Sequence, residues 1–493
     1  MVKKNPIRVR FAPSPTGQPH IGSIWTALMN WLFARHYRGR FVLRIEDTDQ
    51  KRFVPGSIEQ IITALEWYGL TPDEGPTQGG NYGPYRQSQR LGLYQKYATQ
   101  LVQLGAAYYC FCSPARLEKL RQDQTARKLP PKYDKHCATL TTDQVMTRQQ
   151  AGERAVIRLK VPTTGQIEIN DLVRGPVTFR FELQDDSVLL KTDGFPTYHL
   201  ANVVDDHAMK ISHVIRAEEW LPSVPKHLII YKALGWTPPL FVHLPLLLGS
   251  DRSKLSKRHG ATSALMFRDL GYVPAAMVNF LALMGWHPTG NQEILDINTI
   301  IKEFSLERIN PAGAIFDPVK LDWLNGRYLR QLSLPILFKL IKPWWHIPPV
   351  DRWSVPKLKQ ALSLVQERIK KLSEINDYIN FVFPSVWDSQ VNSLSTTLLQ
   401  PPGGTEVNLK DTLGWVKQWL NTRPNPWSTL TLRPALLAAI AASQRQNMAV
   451  LWPLRVVLTL QPQSPDVFDL LALLGPAETD RRLTTIMARL ELD

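Results

Sequence analysis

The sequence predicts a multidomain α/β protein, with a parallel nucleotide-binding sheet in its N-terminal part and an all-helical C-terminal region. Three observations carry this. A β-prone run, Ile7–Phe11, passes through a Pro-rich turn into a helical pattern and then a second β-prone run, which is the order of a right-handed βαβ unit. A further apolar run, His213–Arg216, reads as a buried strand ending in a charged cluster. Beyond residue 330 no strand alternation occurs. The 493 residues exceed what one core holds, and such a length implies roughly three to four domains.

The first junction, RFAPSPTGQPHIGS from Arg10 to Ser23, has the makings of an anion site. Backbone N–H groups and the positive end of a helix dipole meet there. His20 can add an imidazole donor, and Gly22, lacking Cβ, lets a ring or phosphate approach the backbone. A Pro-rich turn before an ordinary helix is the competing reading. The helix is expected over Ile24–Tyr37, where Trp25, Leu28, Met29, Leu32 and Phe33 recur at helical spacing. Gly39 breaks it, and the strand Arg40–Ile45 runs into Glu46-Asp47-Thr48-Asp49, at the edge where such sheets bind ligands. A solvated acidic turn would look the same. Ser57 with Gln60 reads as a capping box before the apolar face Ile58, Ile61, Ile62, Leu65 and Tyr68, which Gly69 ends.

From about 85 to 195 a basic, mixed segment interrupts the α/β rhythm. Cys110, Cys112 and, across a charged helical stretch, Cys137 could hold zinc with Tyr133 or His136 as fourth ligand. Neither position has the usual pair spacing, so buried free thiols are expected and no metal ligands are assigned.

The α/β signal resumes near Thr192. Tyr198, His199, Asn202, Asp205, Asp206, Arg216, Glu218, Glu219 and Trp220 crowd the next 30 or so residues, and Arg216 ends its strand on the ligand-binding side. A satisfied structural arginine is the alternative. The loop GSDRSKLSKRHG, Gly249–Gly260, carries Lys254, Lys257 and Arg258. These are solvated lysines by default, or else a clamp on a phosphoryl group during nucleotidyl transfer.

Net charge is +15, and only 17 Lys and Arg against 13 Asp and Glu fall after residue 330, so the excess is spread over both parts of the chain. A polyanionic partner is the natural inference. The N-terminus MVKKNPIRVR lacks the apolar core of a signal peptide, and the longest apolar runs, such as Val273–Trp286, are too short to span a bilayer. Three cysteines give no disulfide framework, which points to a cytoplasmic protein with no membrane partner.

HIGS at His20–Ser23 resembles the HIGH signature, and Lys254–Arg258 the KMSKS signature, of class I aminoacyl-tRNA synthetases. Together with APSPTG, RIEDTD, PTYHLANVVDD, RAEEW and PKHLIIYKALGW in this order, they resemble the bacterial-type glutamyl-tRNA synthetases. The resemblance is strong over the first 330 residues and fainter beyond, where Pro453-Leu454-Arg455-Val456 is similar to part of that family's last domain. Ser23 stands where HIGH has its final His, Ala217 where a Gly is expected, and the family's optional zinc set lacks its terminal ligand.

The resemblance implies a class I Rossmann-type catalytic domain from residues 1–84 and 195–250, split by a connective, acceptor-binding insert at 85–194. A stem-contact domain at 251–330 would carry the KLSKR loop. Helical anticodon-binding subdomains would occupy 331–391 and 409–493. Independently, Val355–Phe383 reads as one long basic helix, and the Ser/Thr/Pro/Gly stretch Asn392–Asn408 as a linker. By the same resemblance, ATP with Mg²⁺ would be bound by Pro13, His20, Gly22, Ser23, Trp220, Lys254, Ser256 and Lys257, of which His20, Lys254 and Lys257 would be catalytic. L-Glutamate would be bound by Arg10, Ser14, Glu46, Tyr198, Asn202 and Arg216. The partner would be tRNA and the protein a monomer. A glutaminyl-tRNA synthetase is the nearest alternative, but enzymes of that kind read the anticodon with β-barrels. A small nucleotidyltransferase of the HxGH type would need neither the charge nor the helical appendage.

Overall fold

The computed structural model describes residues 6–256, 258, 263–403, 406–422 and 424–492. The chain forms two compact units, Met1–Arg268 with Pro274–Pro318, and Asp269–Val273 with Val319–Asp493.

In the first unit, β1 (Arg8–Phe11), α1 (Ile21–His36) and β2 (Arg40–Leu43) make the expected unit, with Arg8 to Phe11 pairing in parallel with Arg40 to Leu43. α1 begins three residues before the expected Ile24, because His20 caps it through its own side chain. Trp25, Leu28, Met29, Leu32 and Phe33 are all buried. α2 (Ser57–Trp67) follows, but the Ser57–Gln60 capping box does not form. Gly56 takes the N-cap in the left-handed region, φ 80°, so Ser57 already lies in the first turn and its hydroxyl donates to Val54 O at 2.6 Å.

The insert opens with α3 (Leu91–Gln103), β3 (Ala107–Cys110), α4 (Pro114–Ala126), α5 (Thr142–Gln150) and β4 (Val156–Leu159). The hairpin of β5 (Gln166–Asp171) and β6 (Gly175–Arg180) and then β7 (Val188–Leu190) complete it, with β3, β4 and β7 forming an antiparallel sheet. The parallel α/β pattern returns through α6 (Tyr198–Ala208), β8 (His213–Ala217), α7 (Val224–Ala233) and β9 (Leu240–Leu244). β8 pairs in parallel with β9 and abuts β1, where Ser212 N–H donates to Arg8 O at 2.9 Å. Two apolar cores weld the insert to this frame. Tyr94, Leu101, Ile157 and Leu189 pack with Leu200, Val204 and Ile230, and Ile169 packs with Val214 and Phe241. β10 (Leu247–Leu248), α8 (Ala264–Asp269), α9 (Pro274–Leu283), α10 (Ile297–Glu303) and β11 (Ala314–Ile315) follow, β10 and β11 pairing in parallel.

The second unit contains α11 (Pro318–Gln331), α12 (Leu334–Ile341) and further helices to residue 492, and no strand among its described residues. Val355–Phe383 is not one helix. α13 (Val355–Ser363) stops, and α14 (Ile375–Ile379) starts after a turn segment. The chain breaks because Gln366 leaves helical register to cap α11, its Nε2 donating to Leu329 O at 3.1 Å and Leu332 O at 2.8 Å, while Val365, Ile369 and Leu372 turn inward. The stretch read as a linker is packed where described: Leu394 and Leu399 are buried, and Gln400 bonds both backbone groups of Val407.

Candidate active site

One cavity of about 1330 Å³ opens at the carboxyl ends of β1, β2 and β8. Its lining takes in Arg10, Pro13, Ser14, His20, Gly22, Ser23, Glu46, Tyr198, Asn202, Arg216, Trp220, Lys254 and Ser256. Residues spread over some 250 positions of sequence are thus brought to one place by the sheet topology. Lys257 lies outside the described residues.

At the helix mouth, His20 Nδ1 accepts the Gly22 N–H at 3.1 Å. The imidazole proton therefore sits on Nε2 in the neutral ring, which makes that edge the donor. A Cβ on Gly22 would meet His20 Nδ1 at 3.4 Å, an ordinary van der Waals contact.

The cavity wall beside it is a buried charge network. Arg44, fully enclosed, donates to Asp206 Oδ1 at 2.7 Å and Glu46 Oε1 at 3.0 Å, and Arg10 Nε donates to the same Asp206 oxygen at 3.0 Å. With its amide nitrogen toward Asp206 Oδ2 and its oxygen toward Arg44 Nη2, both at 3.2 Å, Asn202 joins the network. Burial alone would raise the Asp206 carboxyl, but Arg10 and Arg44 hold it below the ordinary range. Burial raises Glu46 despite Arg44, so Glu46 is the softer carboxylate of the two. Asp205 is bonded by Arg90, Gln87 and Tyr94 and joins the same network through Arg44 Nε at 3.8 Å.

Arg216 differs from Arg10, Arg44 and Arg90, each of which is paired with a buried carboxylate. It is 5% exposed, yet no carboxylate lies within ion-pair distance among the described residues. Its Nη1 donates to Tyr198 Oη at 2.6 Å, Nη2 to Trp220 O at 3.2 Å and Nε to His243 Nε2 at 3.1 Å, all neutral acceptors. Burial lowers its pKa, the cost of enclosing a cation without a counter-ion. Trp220 is 40% exposed, with its ring centroid 4.4 Å from that of Tyr198. Lys254 pairs with Glu219, and Arg258 with Asp251.

Arg44 opens the RIEDTD motif but is given no role by it, and motif spacing does not reach Asp171 or His243, for which the only sequence signal is a histidine inside an apolar strand, FVHLPLLL. The pairing of Asp171 with the distant His243 has no sequence signal.

In the insert the three thiols converge, their sulfurs within 4.8 Å of one another, and Cys112 Sγ is 3.6 Å from Cys137 Sγ. The fourth corner belongs to Tyr133 and not His136: its hydroxyl lies 3.3 Å from both Cys110 Sγ and Cys112 Sγ. A tetrahedron of Zn–S bonds near 2.3 Å has edges of about 3.8 Å. The donor set therefore fits zinc better than its linear spacing suggests.

Among the described residues no helix is long and apolar enough to cross a membrane. The family model described as tRNA synthetases class I (E and Q), catalytic domain, matches residues 6–323, and an anticodon binding domain model matches 336–487. The glutamate–tRNA ligase of Dehalococcoides mccartyi (strain CBDB1) is 46% identical over 494 residues, spanning 99% of this chain and 98% of its own. That of Moorella thermoacetica is 40% identical over 492 residues, spanning 99% and 98%. The crystal structure of the glutamate–tRNA synthetase from Elizabethkingia anophelis superposes with a TM-score of 0.88 at 35% identity, covering 98% of this chain and all of that one. These likenesses, with the helical second unit, do not favour a glutaminyl enzyme or a small nucleotidyltransferase. The chain belongs to the class I tRNA synthetase family and, within it, to the bacterial glutamate–tRNA ligases.

Proposed function

We infer that the cavity joins L-glutamate to tRNA in two ATP-driven steps. A glutamate α-carboxylate oxygen attacks the α-phosphorus of ATP and pyrophosphate leaves. A ribose hydroxyl of the terminal adenosine of tRNA then attacks the acyl carbon of the adenylate, and AMP leaves. Little proton transfer by the protein is required, so acceleration comes from positioning and from cations around the phosphorus. In this reading His20, Lys254 and Lys257 carry that charge. Pro13, Gly22, Ser23, Trp220 and Ser256 seat the nucleotide, which brings Mg²⁺ with it. Arg10, Ser14, Glu46, Tyr198, Asn202 and Arg216 hold the amino acid, with Glu46 facing its ammonium group. The insert at 85–194 takes the acceptor end and the helical region the anticodon. Cys110, Cys112, Cys137 and Tyr133 would hold a structural zinc that supplies stability to the insert and no chemistry.

The observation that carries this reading is Arg216, a buried cation whose missing counter-ion is the charge that glutamate has and glutamine lacks. ATP–pyrophosphate exchange in the presence of tRNA tests it. Exchange is expected with glutamate and not with glutamine, and no exchange with either amino acid would overturn it.

A further inference from the structure

Arg216 is held from behind by a pair of buried residues. Its Nε–H donates to His243 Nε2 at 3.1 Å, and His243 Nδ1 lies 2.6 Å from Asp171 Oδ2. His243 is fully enclosed and Asp171 is 2% exposed. An ionised carboxylate can only accept, so Nδ1 carries the ring proton and Nε2 turns a lone pair to the guanidinium. An imidazolium would set N–H against N–H. Burial lowers the His243 pKa, which keeps the ring neutral, although Asp171 opposes the shift. Burial alone would raise Asp171, but the His243 bond and the backbone N–H groups of Arg174 and Val173 hold it below the ordinary range.

Asp171 is the last residue of β5, and its Oδ1 accepts from Val173 N and Arg174 N at 3.0 Å and from His243 N at 3.2 Å. The hairpin tip is thereby tied to β9, where Leu172 N–H also donates to Phe241 O at 3.0 Å.

We propose that Asp171 and His243 are positioning residues for amino-acid selection: they fix the guanidinium plane of Arg216 against the side-chain carboxylate of glutamate. The proposal rests on the reading of Arg216 given above. A guanidinium has five N–H donors. Those to His243, Tyr198 and Trp220 use one on each nitrogen, which leaves one N–H on each terminal nitrogen. That remaining pair is what a carboxylate takes in bidentate fashion, and it faces the ligand only while the third nitrogen, Nε, is pinned.

Three substitutions in the full chain test this. Asp171→Asn is isosteric, but its amide can donate to His243 Nδ1 and drive the ring proton to Nε2, against Arg216. His243→Asn keeps a group for Asp171 and removes the acceptor for Arg216. His243→Gln returns an amide oxygen near the place of Nε2. With saturating tRNA, the first two should raise the KM for glutamate by about tenfold or more, the loss of one charge-assisted bond, and leave the KM for ATP within about twofold. His243→Gln should recover at least half of the loss on a logarithmic scale. Equal rises for glutamate and ATP, or equal defects in the Gln and Asn variants, would reduce the pair to a fold element and overturn the proposal. Arg216→Cys, assayed alongside, separates the failures. An unchanged glutamate KM there overturns both the reading of Arg216 and the role of the pair, whereas a raised KM there with normal Asp171 and His243 variants overturns the pair alone.

Discussion

His20 Nδ1 accepts the backbone N–H of Gly22 at 3.1 Å, so one side chain both caps α1 and lines the cavity. The two roles can be separated. Asparagine is a good N-cap, and its short amide can keep the Gly22 bond without reaching as far as Nε2. His20→Asn is expected to leave the melting temperature within a few degrees of the parent and to slow adenylate formation about a hundredfold, the cost of one donor to a developing charge. Pyrophosphate exchange and a thermal melt on the same preparation decide it. A melt lowered in step with activity would make His20 a cap and nothing more.

Acid should destabilise the first unit well above the range of its carboxylates. Burial lowers His199 and His213 to about 4 and His227 further. Each stays neutral in the fold while the unfolded chain takes up a proton near pH 6.5, so the stability each contributes is full above about 6.5 and is lost as pH falls toward the folded value. Asp206 and Asp171, held low, extend the loss below about pH 4. Glu46, held high, works in the opposite sense. Urea titrations at pH 7, 6 and 5 should give falling midpoints, and His213→Gln should flatten the slope by up to about 1.4 kcal/mol per pH unit. A slope unchanged by that substitution would mean that His213 does not set it.

Metal analysis of protein purified without chelator should find one zinc per chain, and Cys137→Ser should abolish it. Stripping the metal is expected to lower the melting temperature of the chain and to leave ATP binding intact, since the four donors lie in the insert and do not line the cavity. Metal-free protein with full stability would return the cluster to buried thiols.

Binding of tRNA should weaken steeply with salt, because the +15 charge is distributed over both parts of the chain. Six or more phosphate contacts would cost roughly a thousandfold in affinity between 50 and 200 mM salt. A flat plot of log K against log salt would remove nucleic acid as the reason for the charge.

The βαβ core was legible because its signals are local: an apolar strand, a turn and a helical stripe read in sequence order. The cavity residues were legible through motifs, which name side chains that line it. What supports those side chains was not. Arg44 meets Asp206 across 162 residues and Asp171 meets His243 across 72, and no local pattern encodes either pairing. The broken helix after Ser363 failed for the same reason, since Gln366 serves the end of a helix more than 30 residues earlier. Helical propensity gave way there to a tertiary hydrogen bond. The convergence of the three thiols with Tyr133 was not legible either, because linear spacing does not register a turn that folds back on them.

The most specific expectation concerns the choice between glutamate and glutamine. The two side chains are isosteric, so size cannot separate them and charge must. Arg216 is buried beside Tyr198 with no carboxylate within ion-pair distance among the described residues, so an incoming side-chain carboxylate completes an ion pair that the fold leaves open. An amide would offer that pair of donors a single acceptor and turn its own N–H groups toward them. Arg10 is less suited to the task, because Asp206 already neutralises it at 3.0 Å. Arg216→Cys should therefore lower kcat/KM for glutamate by about 2–5 kcal/mol, while glutamine loses much less or gains. Aminoacylation with both amino acids on the same tRNA measures the difference. Equal losses would mean that Arg216 holds the α-carboxylate common to both, and selection would then pass to Arg10 and the Asp206 network behind it.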